Sequence, residues 1–177
     1  MRFGRSVGFP LLCLLACAPL WAAPKEVPAV STKLECSLSV PPRLRVGEPL
    51  MLRFRLTNRS AQPVYVLNWL TPLEGLLGDF LKVTRGETAI PYQGPKVKRG
   101  DPEAEEYVTL APGGTAEAEL EVTLAYELTL PGRYRIAFSR EGLMDVTTNP
   151  SDVPRPLAKH RAFPLRCPAV ETELAAP

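Results

Sequence analysis

The chain holds a single histidine, His160, in 177 residues, and that scarcity removes whole classes of chemistry. A zinc-binding His-Glu-x-x-His helix needs two histidines, as does any histidine pair at metal spacing. A serine or cysteine nucleophile would have to take His160 as its base, and no Gly-x-Ser-x-Gly elbow is present. A phosphate-cradling glycine loop and a calcium-loop pattern are equally lacking. With no constellation around it, His160 reads as a polar loop residue. Glu103, Glu105 and Glu106 could supply paired carboxylates, but they lie in a polar run that balances Lys96, Lys98 and Arg99, as a solvated loop does. The expectation is a protein without catalytic residues, metal or cofactor.

An excess of one charge is also missing. Removing Arg2 and Arg5 with an N-terminal signal takes 21 basic residues to 19, against 19 acidic ones. A near-neutral chain lacks the basic footprint of a nucleic-acid binder, so nucleic acid is not an expected partner. The segment removed has two basic residues, an apolar stretch from Val7 to Trp21, and Ala22-Ala23, the layout of a secretory signal peptide. It is too short for a membrane span. Residues 1–22 are therefore read as signal and 23–32 as leader. The alternative is Leu14-Leu15-Ala16-Cys17, which resembles a lipoprotein processing box: residues 1–16 would be removed and Cys17 lipidated, anchoring the protein to a bacterial envelope rather than leaving it secreted or periplasmic.

About 150 residues remain, enough for one domain with its own core. Two of the four cysteines, Cys36 and Cys167, survive processing. An oxidising compartment favours a disulfide between them over two buried free thiols.

What is abundant is alternation. Leu34, Cys36, Leu38 and Val40 share one face of a strand, and Leu50, Leu52, Phe54 and Leu56 share one face of the next. Ala116, Ala118, Leu120, Val122 and Leu124 alternate with Thr115, Glu117, Glu119, Glu121 and Thr123. Phe163, Leu165 and Cys167 are expected to form the final strand, interrupted by Pro164 and Pro168. The densest apolar run, Val64 to Phe80, reads as a central sandwich strand to Trp69 followed by a loop carrying Leu73, Leu76 and Leu77. Pro131-Gly132 before Tyr134, Ile136 and Phe138 resembles the tyrosine corner of immunoglobulin-like domains. Seven or eight strands with no helix-period segment predict an all-β, immunoglobulin-like antiparallel β-sandwich over residues 33–174, with 175–177 as a tail.

Longer stretches carry a family likeness. Tyr65-Val66-Leu67-Asn68-Trp69, Thr71-Pro72-Leu73-Glu74-Gly75 and Pro91-Tyr92-Gln93-Gly94-Pro95 with Lys98-Arg99-Gly100 resemble the N-terminal non-catalytic domain of deuterolysin-type (aspzincin, peptidyl-Lys) metalloendopeptidases. The likeness continues through Leu110-Ala111-Pro112-Gly113, Ala125-Tyr126-Glu127-Leu128, Pro131-Gly132-Arg133-Tyr134 and Leu165-Arg166-Cys167. In that family the domain is an immunoglobulin-like pro-region preceding a zinc catalytic domain. The zinc ligands and catalytic glutamate have no counterpart here, so proteolysis is not implied. The resemblance implies a domain that inhibits, chaperones or contacts a zinc metalloprotease. Leu73, Leu76 and Leu77 either cap one end of the core or, left exposed, join the basic Lys96, Lys98 and Arg99 as candidate partner-binding residues, because a rigid scaffold commonly displays function on loops. The alternative is an envelope-tethered structural or adaptor module without a protease partner.

Overall fold

The computed structural model describes residues 1, 32–139 and 142–177. The signal, the leader and Cys17 lie outside the described residues, apart from Met1 and Thr32 onward. In chain order the first strands are β1 (Leu34–Ser39), β2 (Arg43–Arg45), β3 (Met51–Asn58), β4 (Val64–Leu67), β5 (Leu81–Arg85) and β6 (Thr88–Ile90). They are followed by β7 (Tyr107–Leu110), β8 (Thr115–Glu121), β9 (Gly132–Phe138) and β10 (Gly142–Leu143). The last are β11 (Val146–Thr147), β12 (Phe163–Pro164) and β13 (Val170–Ala175). Among the described residues the helical segments are short 3-10 turns only.

Two sheets form the sandwich. One has the order β1-β3-β8 and the other β2-β13-β9-β5-β6. All pairings are antiparallel except that of β2 with β13, which is parallel. This is the immunoglobulin-like arrangement, in which the first, second and fifth sandwich strands face a sheet built on the third, sixth and seventh. The tyrosine corner is present: Tyr134 is buried and its hydroxyl donates to the Leu130 carbonyl oxygen at 2.8 Å. Alternation fills the core as the sequence predicts, with Leu50, Leu52, Phe54 and Leu56 packed against Val83, Ile136 and Leu174. The Phe138 ring lies 6.0 Å from both Phe54 and Phe80. A disulfide joins Cys36 of β1 to Cys167, with Cα atoms 4.9 Å apart.

Three expectations need correction. Val64 to Trp69 does not supply a central strand of the sandwich. The strand stops at Leu67 and is the middle of a third sheet, ordered β11-β4-β7. Asn58, fully buried at the end of β3, ties this sheet to the sandwich: its side-chain nitrogen donates to the carbonyls of Gln62 at 2.7 Å and Leu110 at 2.9 Å. The final strand is β13, not Phe163 to Cys167. Pro164 and Pro168 remove two amide donors, leaving only Phe163–Pro164 paired with β10, whereas Val170–Ala175 alternates with Thr172 and Leu174 inward. Lastly, β8 ends at Glu121 and passes into a 3-10 turn at Val122–Leu124, which rotates Leu124 out of the core to 74% exposure.

Candidate functional site

The Leu70 to Leu77 loop begins with a strained residue. Leu70 has φ of 54°, a left-handed conformation that costs a non-glycine residue about 1 kcal/mol or more. Its amide donates to Glu74 Oε1 at 2.5 Å, which fixes the bend. Thr71 caps the following 3-10 turn by accepting from the Leu73 amide at 3.2 Å, with Pro72 preset in the first turn.

Residues 93–102 pack against that loop. The Tyr92 hydroxyl sits between the carbonyl oxygens of Leu76 and Pro95, at 2.8 and 2.7 Å, so its one proton is shared between two loops. The Val97 amide donates to the Leu77 carbonyl at 3.3 Å. Arg99 Nη2 donates to Glu74 Oε2 at 2.5 Å, and its guanidinium lies 4.6 Å from the Trp69 ring centroid. Trp69 Nε1 donates to Glu106 Oε1 at 2.6 Å, while Glu106 Oε2 accepts from the Glu103 amide at 2.8 Å. Farther along, Asp101 accepts from the Leu157 amide at 2.8 Å. Burial raises the Glu74 carboxyl above its ordinary 4.5, against the pull of the Leu70 amide and Arg99.

This bracing sorts the residues expected to meet a partner. Leu73 and Leu76 are half-buried against the main core. Arg99 is half-buried and held by Glu74 and Trp69, so its part is to fix the loop. Lys96 and Lys98 are exposed, and so are Val97 between them at 48% and Leu77 at 38%. The displayed surface is thus two lysines around an apolar pair, with carbonyl and amide contacts holding the backbone beneath.

A second polar cluster, centred on Asp145, was not singled out in the sequence. Asp145 is 0% exposed and Arg155 is 6% exposed. The carboxylate accepts from the Tyr107 hydroxyl at 2.7 Å, from the Arg161 amide at 2.7 Å and from Arg155 Nη1. Arg155 Nη2 donates to Asp152 Oδ2 at 2.8 Å. This contact holds the Asp152 carboxyl below its ordinary 3.8, whereas burial, and then the bond to Asp145, drive the Tyr107 hydroxyl well above its ordinary 10.0. The one available signal was Asp145 itself, a carboxylate in the apolar context Leu143-Met144-Asp145-Val146.

His160 joins the two regions. Its Nε2 lies 3.0 Å from the Arg155 carbonyl oxygen, and its ring meets Trp69 edge-on at 5.9 Å. With three donors on Asp145 and the Arg155 carbonyl beside His160 Nε2, the cluster clamps the 145–161 connection onto β4 and β7, while His160 Nδ1 is buried without a hydrogen-bond partner among the described residues. Among the described residues no group of three or more His, Cys, Asp or Glu side chains is placed to hold a metal ion, and no helix is long and apolar enough to cross a membrane.

No family model matches the chain. It is 26% identical over 107 residues to an extracellular protease of Aeromonas hydrophila, an alignment covering 58% of this chain and 31% of that protein. The chain therefore spans about a third of the length of the relative it matches. Among solved structures it is similar to a CARDB domain of a Pyrococcus furiosus protein in complex with di-metal ions, at 14% identity and a TM-score of 0.33 over 82% of this chain and 93% of that one. A β-glucosidase from Listeria innocua matches at 13% identity and a TM-score of 0.31, over 77% of this chain and 16% of that one.

Proposed function

We propose that this chain is a non-catalytic, secreted β-sandwich that binds a zinc metalloprotease of the deuterolysin type and restrains it. The observation that carries the reading is the braced tip formed by Leu77 and Lys96-Val97-Lys98. A segment already held by Tyr92, Arg99 and Leu77 loses little conformational entropy on docking, so more of its contact energy appears as affinity. The similarity to part of an extracellular protease, together with the pro-region resemblance, supports a protease as the partner. For an enzyme that selects lysine, Lys96 or Lys98 supplies the side chain its cleft accepts, and the stiff backbone slows the approach to a cleavable geometry.

Calorimetric titration of the protein into a lysine-specific zinc endopeptidase tests this reading. Micromolar or tighter association is expected, weakened about tenfold or more by Lys96→Ala with Lys98→Ala, the scale of an interface hot spot. Association unchanged by the double substitution removes the tip from the mechanism. Absence of association favours the envelope adaptor.

A further inference from the structure

The outward faces of the two sandwich sheets carry their charges differently. On the β1-β3-β8 face, arginines meet carboxylates: Arg55 Nη2 lies 2.7 Å from Glu117, Arg53 Nε 3.4 Å from Glu119 and Arg59 Nε 2.6 Å from Glu35. On the five-stranded sheet, strand alternation points Arg43 and Arg45 of β2, Lys82 of β5, and Arg133 and Arg135 of β9 outward, all exposed. The acids set among them are Glu171 and Glu173 of β13, and at the edge Glu48, whose carboxylate accepts from the Arg45 amide at 2.9 Å. Both approach Arg133, at 3.8 and 4.0 Å, which are long contacts between exposed groups. Among the described residues Arg43, Arg45, Lys82 and Arg135 make no ion pair.

Register turns these cations into an array. Arg43, Glu173 and Arg133 lie in one row across three strands, Arg135 sits between Glu171 and Thr84, and Lys82 is opposite Ala137. Three inter-strand steps separate β2 from β5, so the array is roughly 14 Å wide. The uncharged outward positions between them, Ala175, Ala137 and Thr84, are small, as is Ala89 on the neighbouring β6. Protein-interface hot spots gather Trp, Tyr and Arg in desolvated pockets, whereas this face sets its arginines among small residues and carboxylates with no aromatic side chain beside them among the described residues. A sheet surface also provides no cavity to enclose a small anion. Four of the five cations are arginines, whose planar forks match phosphate oxygens.

We propose that this face of the sandwich docks on an anionic, phosphate-bearing membrane surface. The attraction is electrostatic and distributed, so it falls as the salt concentration rises and as cations are removed one at a time. It is independent of the protease-binding reading, which rests on other residues.

Co-sedimentation of the purified protein with mixed phosphatidylglycerol and phosphatidylcholine vesicles, compared with phosphatidylcholine alone, tests the proposal. The readout is the difference between the two vesicle types. Stronger partitioning onto the anionic vesicles at low salt, lost at high salt, is the expected result. Partitioning should drop about fivefold for each of Arg43→Gln, Arg45→Gln and Arg135→Gln. Arg53→Gln with Arg55→Gln should leave it unchanged. Thermal melts establish the folding of each variant, and Arg43→Gln or Arg45→Gln serves if Arg135→Gln is unfolded. Equal partitioning onto both vesicle types, or the same loss from the Arg53 and Arg55 variant, overturns the proposal. Retention on soluble polyglutamate without preference for anionic vesicles overturns it in favour of an acidic protein partner.

Discussion

Arg99 stacks 4.6 Å from the Trp69 ring centroid while its Nη2 holds Glu74 Oε2 at 2.5 Å, so one side chain fastens residues 93–102 to the loop that follows β4. Both ends of the ion pair are sheltered, with side-chain exposures of 15% for Arg99 and 5% for Glu74. Arg99→Ala would leave the Glu74 carboxylate buried without its cation, at a cost of about 3 kcal/mol. Urea unfolding should show that loss, and Arg99→Lys should restore only part of it because an ammonium cannot stack and fork together. An unchanged midpoint for Arg99→Ala would show that the brace is not needed.

The two perturbed carboxyls act in opposite directions with pH. Glu74 is raised above 4.5 by burial, so the folded state binds its proton more tightly; this stabilisation is complete below 4.5 and is lost as pH rises through the folded value. Asp152 is lowered below 3.8 by its bond to Arg155, so its contribution is present above 3.8 and is lost as pH falls through the folded value. Asp152→Asn should therefore flatten the acid limb of the stability curve. A carboxyl titration followed by NMR should give a midpoint above 4.5 for Glu74 and below 3.8 for Asp152.

Asp145 closes the second cluster. Asp145→Ala removes the acceptor of the Tyr107 hydroxyl and Arg161 amide and one of the two carboxylates on buried Arg155, which predicts a loss of about 3 to 5 kcal/mol. Hydrogen exchange should quicken first in β4, β7 and β11, which the cluster clamps, before the sandwich strands respond. Uniform quickening across all strands would show that the third sheet has no stability of its own.

The sandwich was legible in the sequence because half-buried strands write their burial as alternation: Leu52, Phe54 and Leu56, and the corner tyrosine Tyr134, all point where their spacing predicts. The third sheet was not. In Val64 to Leu67 three of four residues are buried, and a run without alternation cannot say which sheet receives it. The proposed binding tip was half legible. Composition marked Lys96, Lys98 and Arg99 alike, but the capture of Arg99 depends on Glu74 and Trp69, residues 25 and 30 positions away, and long-range pairing leaves no periodic trace. The Asp145 cluster, spread from Tyr107 to Arg161, was hidden for the same reason.

The disulfide closes a separation of 131 residues between Cys36 and Cys167. Constraining so long a loop in the unfolded chain predicts that Cys36→Ser with Cys167→Ser costs about 4 to 5 kcal/mol. Thermal unfolding with and without reductant should reproduce that loss in the parent protein and show none in the double variant.

The proposed restraint of a zinc metalloprotease acts through the tip at Leu77 and Lys96 to Lys98. The most direct measurement is residual activity of a lysine-specific deuterolysin-type enzyme, titrated with the protein on a chromogenic lysine peptide. Progressive loss of activity that saturates with added protein, and that Lys96→Ala with Lys98→Ala relieves, is the predicted result. Full activity at a large excess of the folded protein would contradict it.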